Sequence, residues 1–165
     1  MTVRVGDKLS SAPASLTETA PDKTVQFPTE GKIIIVGVPG AYTPPCSDHV
    51  PTYILAYDDL LKKGIDEIYV VGVNDQFVMN AWGKHLTQQH GGDLEKLTHI
   101  HFCADRSGEF VKSLGLDFDA SGLLGNTRSK RFALVVKDGI VEDVRVENSP
   151  PELTLTMADE VLKSL

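Results

Sequence analysis

Ile33-Ile34-Ile35-Val36-Gly37-Val38, followed by Pro39-Gly40-Ala41-Tyr42-Thr43-Pro44-Pro45-Cys46-Ser47, is the stretch that decides how this chain folds. The branched apolar run has no polar alternation and stops at Pro39-Gly40, as expected of a strand buried on both faces. Past the loop, residues 47–63 carry Val50, Tyr53, Ile54, Tyr57, Leu60 and Leu61. That i, i+3, i+4 spacing predicts a helix, with a kink or early turn at Pro51 and a stop at Gly64. A buried strand that feeds a helix is the building unit of an α/β protein.

The same alternation continues outward. Residues 68–73 repeat the buried-strand pattern, and Asp75 is placed to cap a helix from Gln76 to about His90. Phe77, Val78, Ala81, Trp82 and Leu86 are expected to face inward from that helix, with Phe77 and Trp82 most simply core. Residues 99–104 read as a strand and 109–114 as a short helix. Residues 132–136 and 141–146 flank Lys137-Asp138-Gly139, whose Asp-Gly pair signals a hairpin. Residues 156–165 form a closing amphipathic helix, while 1–31 are polar, turn-rich and irregular or short-stranded. The order β-α-β-α-β-α-β-β-α predicts a single domain over residues 1–165. Its fold class is α/β, a three-layer sandwich around a mixed central sheet.

The chain has 165 residues, 41% hydrophobic and 24% charged, which is ordinary for a globular protein. No apolar run approaches the roughly 20 residues of a membrane helix. The start, Met1-Thr2-Val3-Arg4-Val5-Gly6, lacks the pattern of a secretory leader. A net charge of −7 argues against nucleic acid or an anionic membrane as partner, and Arg128, Lys130 and Arg131 are too few to offset it. Two cysteines, Cys46 and Cys103, make no disulfide framework and no cysteine zinc site, and they suit a reducing compartment. A cytoplasmic location is expected, with peroxisome or mitochondrion as alternatives. The end, Lys163-Ser164-Leu165, holds the letters of a peroxisomal signal in the wrong order.

Cys46 follows a strand, a tight loop and two prolines, and it precedes a helical stretch. It therefore belongs in the first helical turn, where free amides and the helix dipole favour negative charge. Helix N-termini and nearby cations lower thiol pKa values from about 8.5 to roughly 3.5–7.5, and only the thiolate attacks efficiently. The site also lies at the C-terminal end of a central strand, where open α/β sheets place ligands. From position alone, a reactive thiol and an inert buried one stand level.

Pro39-Gly40-Ala41-Tyr42-Thr43-Pro44-Pro45-Cys46-Ser47 resembles the active-site signature of the peroxiredoxins, whose core is Pro-x-x-x-Thr-x-x-Cys. The likeness extends through His49-Val50-Pro51, Gly72-Val73-Asn74-Asp75, Phe77-Val78, Ala81-Trp82, Ala104-Asp105 and Arg128-Ser129-Lys130-Arg131-Phe132, nearest the type II (atypical) branch. The resemblance implies a thioredoxin-like sandwich with an inserted α-β-α segment. It implies a peroxidase acting on hydrogen peroxide and alkyl hydroperoxides without cofactor or metal. Cys46 would be the peroxidatic cysteine, Thr43 its hydroxyl partner, Arg131 the active-site arginine and Pro39 the residue that shapes and shields the loop. Gly40, Pro45 and Arg128 are further pocket candidates, Arg128 as a clamp on the loop or a partner for a carboxylate. Donors aimed at the departing oxygen lower such a barrier, and losing one typically costs about 100- to 1000-fold in rate. The resemblance also implies a homodimer, and thioredoxin, glutaredoxin or glutathione as reductant.

Many relatives carry a resolving cysteine where this chain has Val70-Val71, Leu155 or nothing before Cys46. The one candidate for that part is Cys103. Its strand is expected at the parallel edge, two spacings or roughly 9–10 Å from the strand before Cys46, and a disulfide needs Cα atoms within about 7 Å. Cys103 is thus expected to be core filler, with an external thiol resolving the oxidised Cys46. His49, three residues past Cys46, is spaced to share its face of the helix, but it reads most simply as a loop or subunit-contact residue. Tyr42, in place of the usual Phe, turns its hydroxyl to solvent. A thioredoxin-type oxidoreductase would need a second cysteine in residues 43–49. A peroxide sensor or holdase that uses Cys46 as a switch is the alternative function.

Overall fold

The computed structural model describes residues 1–90 and 92–165. Its centre is a six-stranded sheet in the order β1 (Leu16–Glu18), β4 (Ile100–Asp105), β3 (Glu67–Gly72), β2 (Lys32–Val38), β7 (Phe132–Lys137), β8 (Ile140–Val146). The parallel trio is β2, β3 and β4. Antiparallel strands flank it: β1 on β4, and β7 followed by β8 on β2. The hairpin between β7 and β8 turns at Asp138 and Gly139, both with positive φ.

Strand alternation sorts the core into two layers. Ile34, Val36, Val38, Ile68, Val70, Phe102 and Val135 point to one face. That face is covered by α1 (Pro44–Leu55), α2 (Tyr57–Lys62), α3 (Gln76–Gln89) and α6 (Ala158–Lys163). Ile33, Ile35, Tyr69, Val71, Cys103, Phe132 and Leu134 point to the other, under α4 (Glu109–Ser113) and N-terminal residues such as Leu9, Val25 and Phe27. The three-layer sandwich and mixed sheet expected from the sequence are what forms.

Four details differ from expectation. The helix runs through Pro51, and the break comes at Ala56, where α1 ends and α2 begins. β4 is the outermost parallel strand but not the sheet edge, because β1 pairs along it. His101 helps to hold β1 there, bridging Glu18 at 2.6 Å and Glu67 at 2.7 Å. Residues 117–129, which show no period, form a small hairpin of β5 (Asp117–Asp119) and β6 (Thr127–Ser129) around α5 (Ser121–Leu124).

The fourth concerns α3. Asp75 caps it as expected, accepting from Val78 N at 2.9 Å. Its inward face is nevertheless Gln76, Met79, Trp82, Gly83, Leu86 and Thr87, whereas Phe77 is 72% exposed and Ala81 is exposed. By apolar pattern alone Phe77, and not the polar Gln76, belongs inside. Gln76 is tolerated inside because Thr17 Oγ1, Asn80 Oδ1 and Phe102 O satisfy its amide.

Glycine in the middle of β2 weakens a strand unless something needs the space. At Gly37 that something is the Phe132 ring, which lies 2.1 Å from where a Cβ would stand. Gly37→Ala should therefore cost about 1–3 kcal/mol by overpacking. The test is the urea midpoint; an unchanged value would show that the ring has room to move.

Candidate active site

Cys46 is the third residue of α1, after Thr43 at the N-cap and Pro44 and Pro45 in the first turn. The strand β2 delivers the loop 39–43 at its C-terminal end, so the sulfur sits over the sheet. The two prolines change the electrostatics expected there. They contribute no N–H, Thr43 N donates to Gly40 O, and Ser47 N donates to Thr43 O. Of the first-turn amides only Cys46's own is left for an anion, so most of the burden passes to a side chain.

Arg131 is the side chain that reaches the sulfur. It lies just before β7, next to β2, and is 1% exposed although charged. Its NH2 group donates to Cys46 Sγ at 3.2 Å, its NH1 to His49 Nδ1 at 3.0 Å and its Nε to Pro150 O at 2.9 Å. Among the described residues, no carboxylate lies within ion-pair distance of it. A buried guanidinium surrounded only by neutral acceptors is costly, and an anion at hydrogen-bond distance would offset that cost.

His49 is not a loop or subunit-contact residue. It lies one helical turn beyond Cys46, fully buried, between Arg131 and Thr156 O at 2.9 Å. Burial is the main reason its pKa falls to about 4, and the Arg131 charge lowers it further against the pull of the Thr156 carbonyl and Glu147. The ring is therefore neutral at physiological pH. The i+3 spacing that puts His49 on the face of Cys46 is legible in the sequence. Its partner Thr156, distant in the chain, is not.

Thr43 Oγ1 donates to Gly40 O at 2.8 Å, which ties the loop and leaves the oxygen's lone pairs free. Arg128 clamps the same loop, donating to Pro39 O at 3.2 Å, Leu124 O at 3.4 Å and Asn126 Oδ1 at 2.6 Å, with no carboxylate partner among the described residues. Gly40 is closely packed against this clamp: a Cβ would stand 3.0 Å from Arg128 NH1 and 3.2 Å from Thr43 Cγ2, so either side chain would have to shift by a few tenths of an ångström to admit one. Pro39, Thr43, Pro45 and Arg131 converge on a cleft of about 460 Å³, whose far wall includes Phe118, Leu123 and Pro150. That wall comes from the unforeseen β5-α5-β6 hairpin and the loop after β8. Arg131 borders both the cleft and the sulfur, and Cys46 itself has no exposed surface.

Cys103 is not brought to this site. It is fully buried, two strands from β2, and it points into the opposite layer of the sandwich. Burial pushes its thiol pKa well up, and the nearby Glu18 charge adds to this. Tyr42 is 52% exposed, with its ring 5.9 Å from that of His85 on α3.

A sequence model of the Redoxin family matches residues 4–162. Peroxisomal membrane associated protein 20 of Schizosaccharomyces pombe is 49% identical over 163 residues, covering 99% of both chains. Peroxiredoxin-2B of Arabidopsis thaliana is 39% identical over 170 residues, covering 93% of this chain and 99% of that one. Reduced Prx3 of Vibrio vulnificus, solved in complex with hydrogen peroxide, superposes with a TM-score of 0.82 at 34% identity, covering 99% of this chain and 100% of that one. The expected thioredoxin-like peroxiredoxin architecture is thus matched along the whole chain.

The neutral His49 has a consequence for stability. Its pKa is 6.5 when unfolded and about 4 when folded, so between those values the unfolded chain takes up a proton that the native one refuses. Stability must fall as pH drops through this window, by about 3 kcal/mol in total. Urea unfolding of wild type and His49→Gln at several pH values tests this. The expected result is a shallower acid slope in the variant; parallel slopes would contradict it.

Proposed function

This chain belongs to the peroxiredoxin family and is a thiol-dependent peroxidase, and from that premise we propose that Cys46 is the residue that attacks the peroxide. The single observation that carries this is the buried Arg131 guanidinium donating to Cys46 Sγ at 3.2 Å. The thiolate attacks the terminal oxygen of a hydroperoxide entering from the cleft, and the O–O bond breaks. Sulfur takes up the oxygen as sulfenic acid, and the departing oxygen leaves as water or alcohol after gaining a proton. Arg131 holds the thiolate before attack and stabilises charge on the departing oxygen during it. Thr43, with its lone pairs free, accepts from the peroxide O–H, while Pro39, Pro45, Gly40 and Arg128 fix the loop that shapes the entrance.

The sulfenic acid is resolved by an external thiol. Such a thiol condenses with it, releasing water, and a second thiol exchange returns the Cys46 thiolate and a disulfide. The one-cysteine route is supported by the position of Cys103 in the opposite layer, since a direct bridge needs Cα atoms within about 7 Å. Thioredoxin, glutaredoxin and glutathione are the proposed reductants.

The protein acts as a homodimer. Phe77, Ala81 and His85 are exposed at successive turns of α3, and Tyr42 lies against His85, which together offer a face for a second copy. A cytoplasmic location suits two unpaired thiols. The fission-yeast relative's name makes the peroxisome the alternative. No helix among the described residues is long and apolar enough to cross a membrane.

Peroxide consumption should be measured with thioredoxin, glutaredoxin and glutathione systems side by side. Cys46→Ser should abolish turnover, and Cys103→Ala should retain it. Turnover by Cys46→Ser would refute the assignment, and its loss in folded Cys103→Ala would make Cys103 the resolving thiol. Fast oxidation of Cys46 with no regeneration by any of the three systems would favour the sensor.

A further inference from the structure

Glu147, the first residue past β8, touches no reacting group, yet its carboxylate gathers an unusual set of donors. Its Oε1 accepts from the amides of Thr154 at 2.9 Å, Leu155 at 2.7 Å and Thr156 at 3.0 Å, and from the Thr156 hydroxyl at 2.9 Å. Oε2 accepts from the Thr154 hydroxyl at 3.0 Å, while the Glu147 amide donates to Arg131 O at 3.0 Å. Burial by itself would raise this carboxyl's pKa, but the donors from Leu155, Thr156 and Thr154 outweigh it and hold it below the usual range. The turn 154–156 is thereby wound around one anion.

What that turn presents is the Thr156 carbonyl, which accepts from both the Tyr53 hydroxyl and His49 Nε2. A carbonyl oxygen only accepts and a guanidinium only donates. Between Thr156 O and Arg131, His49 therefore has one workable form: neutral, with its proton on Nε2 and a lone pair on Nδ1. The other tautomer would set Nδ1–H against the guanidinium N–H, and Arg131 would lose one of the three acceptors that aim it at Cys46.

We infer that Glu147 is a positioning residue for the peroxidase reaction: by fixing the turn 154–156 it selects the His49 tautomer that holds Arg131 against Cys46. The inference rests on Cys46 being the peroxidatic residue. The control it assigns to Glu147 is geometric, not a matter of charge. In Glu147→Gln the amide oxygen can take the place of Oε1, and the amide nitrogen meets the Thr154 hydroxyl, which accepts as readily as it donates. Glu147→Ala leaves the turn without an anchor.

The test combines stopped-flow oxidation of Cys46 by hydrogen peroxide with 15N NMR of the His49 ring at neutral pH. Wild type should show a single Nε2–H tautomer. Glu147→Ala should show mixed tautomers and oxidise roughly 100-fold more slowly, the usual effect of a small misplacement transmitted from outside the reacting centre. Glu147→Gln should restore both the tautomer and most of the rate. An Nδ1–H tautomer in wild type would overturn the inference. So would Glu147→Ala with wild-type rate and tautomer, or Glu147→Gln as slow as Glu147→Ala. If Glu147→Ala fails to fold, the wild-type spectrum and Glu147→Gln still decide. The spectrum is recorded without peroxide, so it tests the relay independently of whether Cys46→Ser abolishes turnover.

Discussion

A positive charge locked inside the protein, with no carboxylate among the described residues within ion-pair distance, is what the rest of this structure serves. Arg131 has 1% of its surface exposed, and its three observed partners are a sulfur, an imidazole nitrogen and a main-chain carbonyl. Leaving a guanidinium in such surroundings costs several kcal/mol unless an anion is supplied. Cys46 is the group at hydrogen-bond distance that can supply it. The helix N-terminus adds less than usual, because two of its first amides belong to prolines. On the proposed mechanism, the chemistry depends on a side chain that folding must bury, more than on the end of a helix.

The fold makes that burial possible by bringing three distant segments together. β2 delivers the loop of Pro39 and Thr43, and α1 follows directly with Cys46 and His49 on one face. β7 pairs with β2, which sets Arg131 beside that loop. The chain after β8 then folds back, with Pro150 O on Arg131 and Thr156 O on His49. Gly37 lets the Phe132 ring lie across β2, and Arg131 is its immediate neighbour in the chain. The central sheet separates this assembly from Cys103, which is closed off in the opposite apolar layer.

The parts of this arrangement carried by local pattern are legible in the amino-acid order. Branched runs mark β2, β3 and β7, the Asp75 cap starts α3, and Asp138-Gly139 turns the last hairpin. The motif from Pro39 to Cys46 marks the loop and its thiol in the sequence itself. What local pattern cannot carry is partnership across the chain. Phe77 looks like core, yet the buried turn belongs to Gln76, because Thr17 and Phe102 satisfy its amide. His49 looks incidental until Thr156 and Arg131 stand on either side of it. The β5-α5-β6 hairpin has no periodicity, since its residues line a cleft and do not fill a core.

If the buried guanidinium is what readies Cys46, removing its charge while keeping the fold must slow the first chemical step. The direct measurement is the second-order rate of Cys46 oxidation by hydrogen peroxide in Arg131→Gln, with folding checked by circular dichroism. A fall of about 100- to 1000-fold is predicted, the usual effect of deleting one preorganised donor. A folded variant that reacts as fast as wild type would contradict the account.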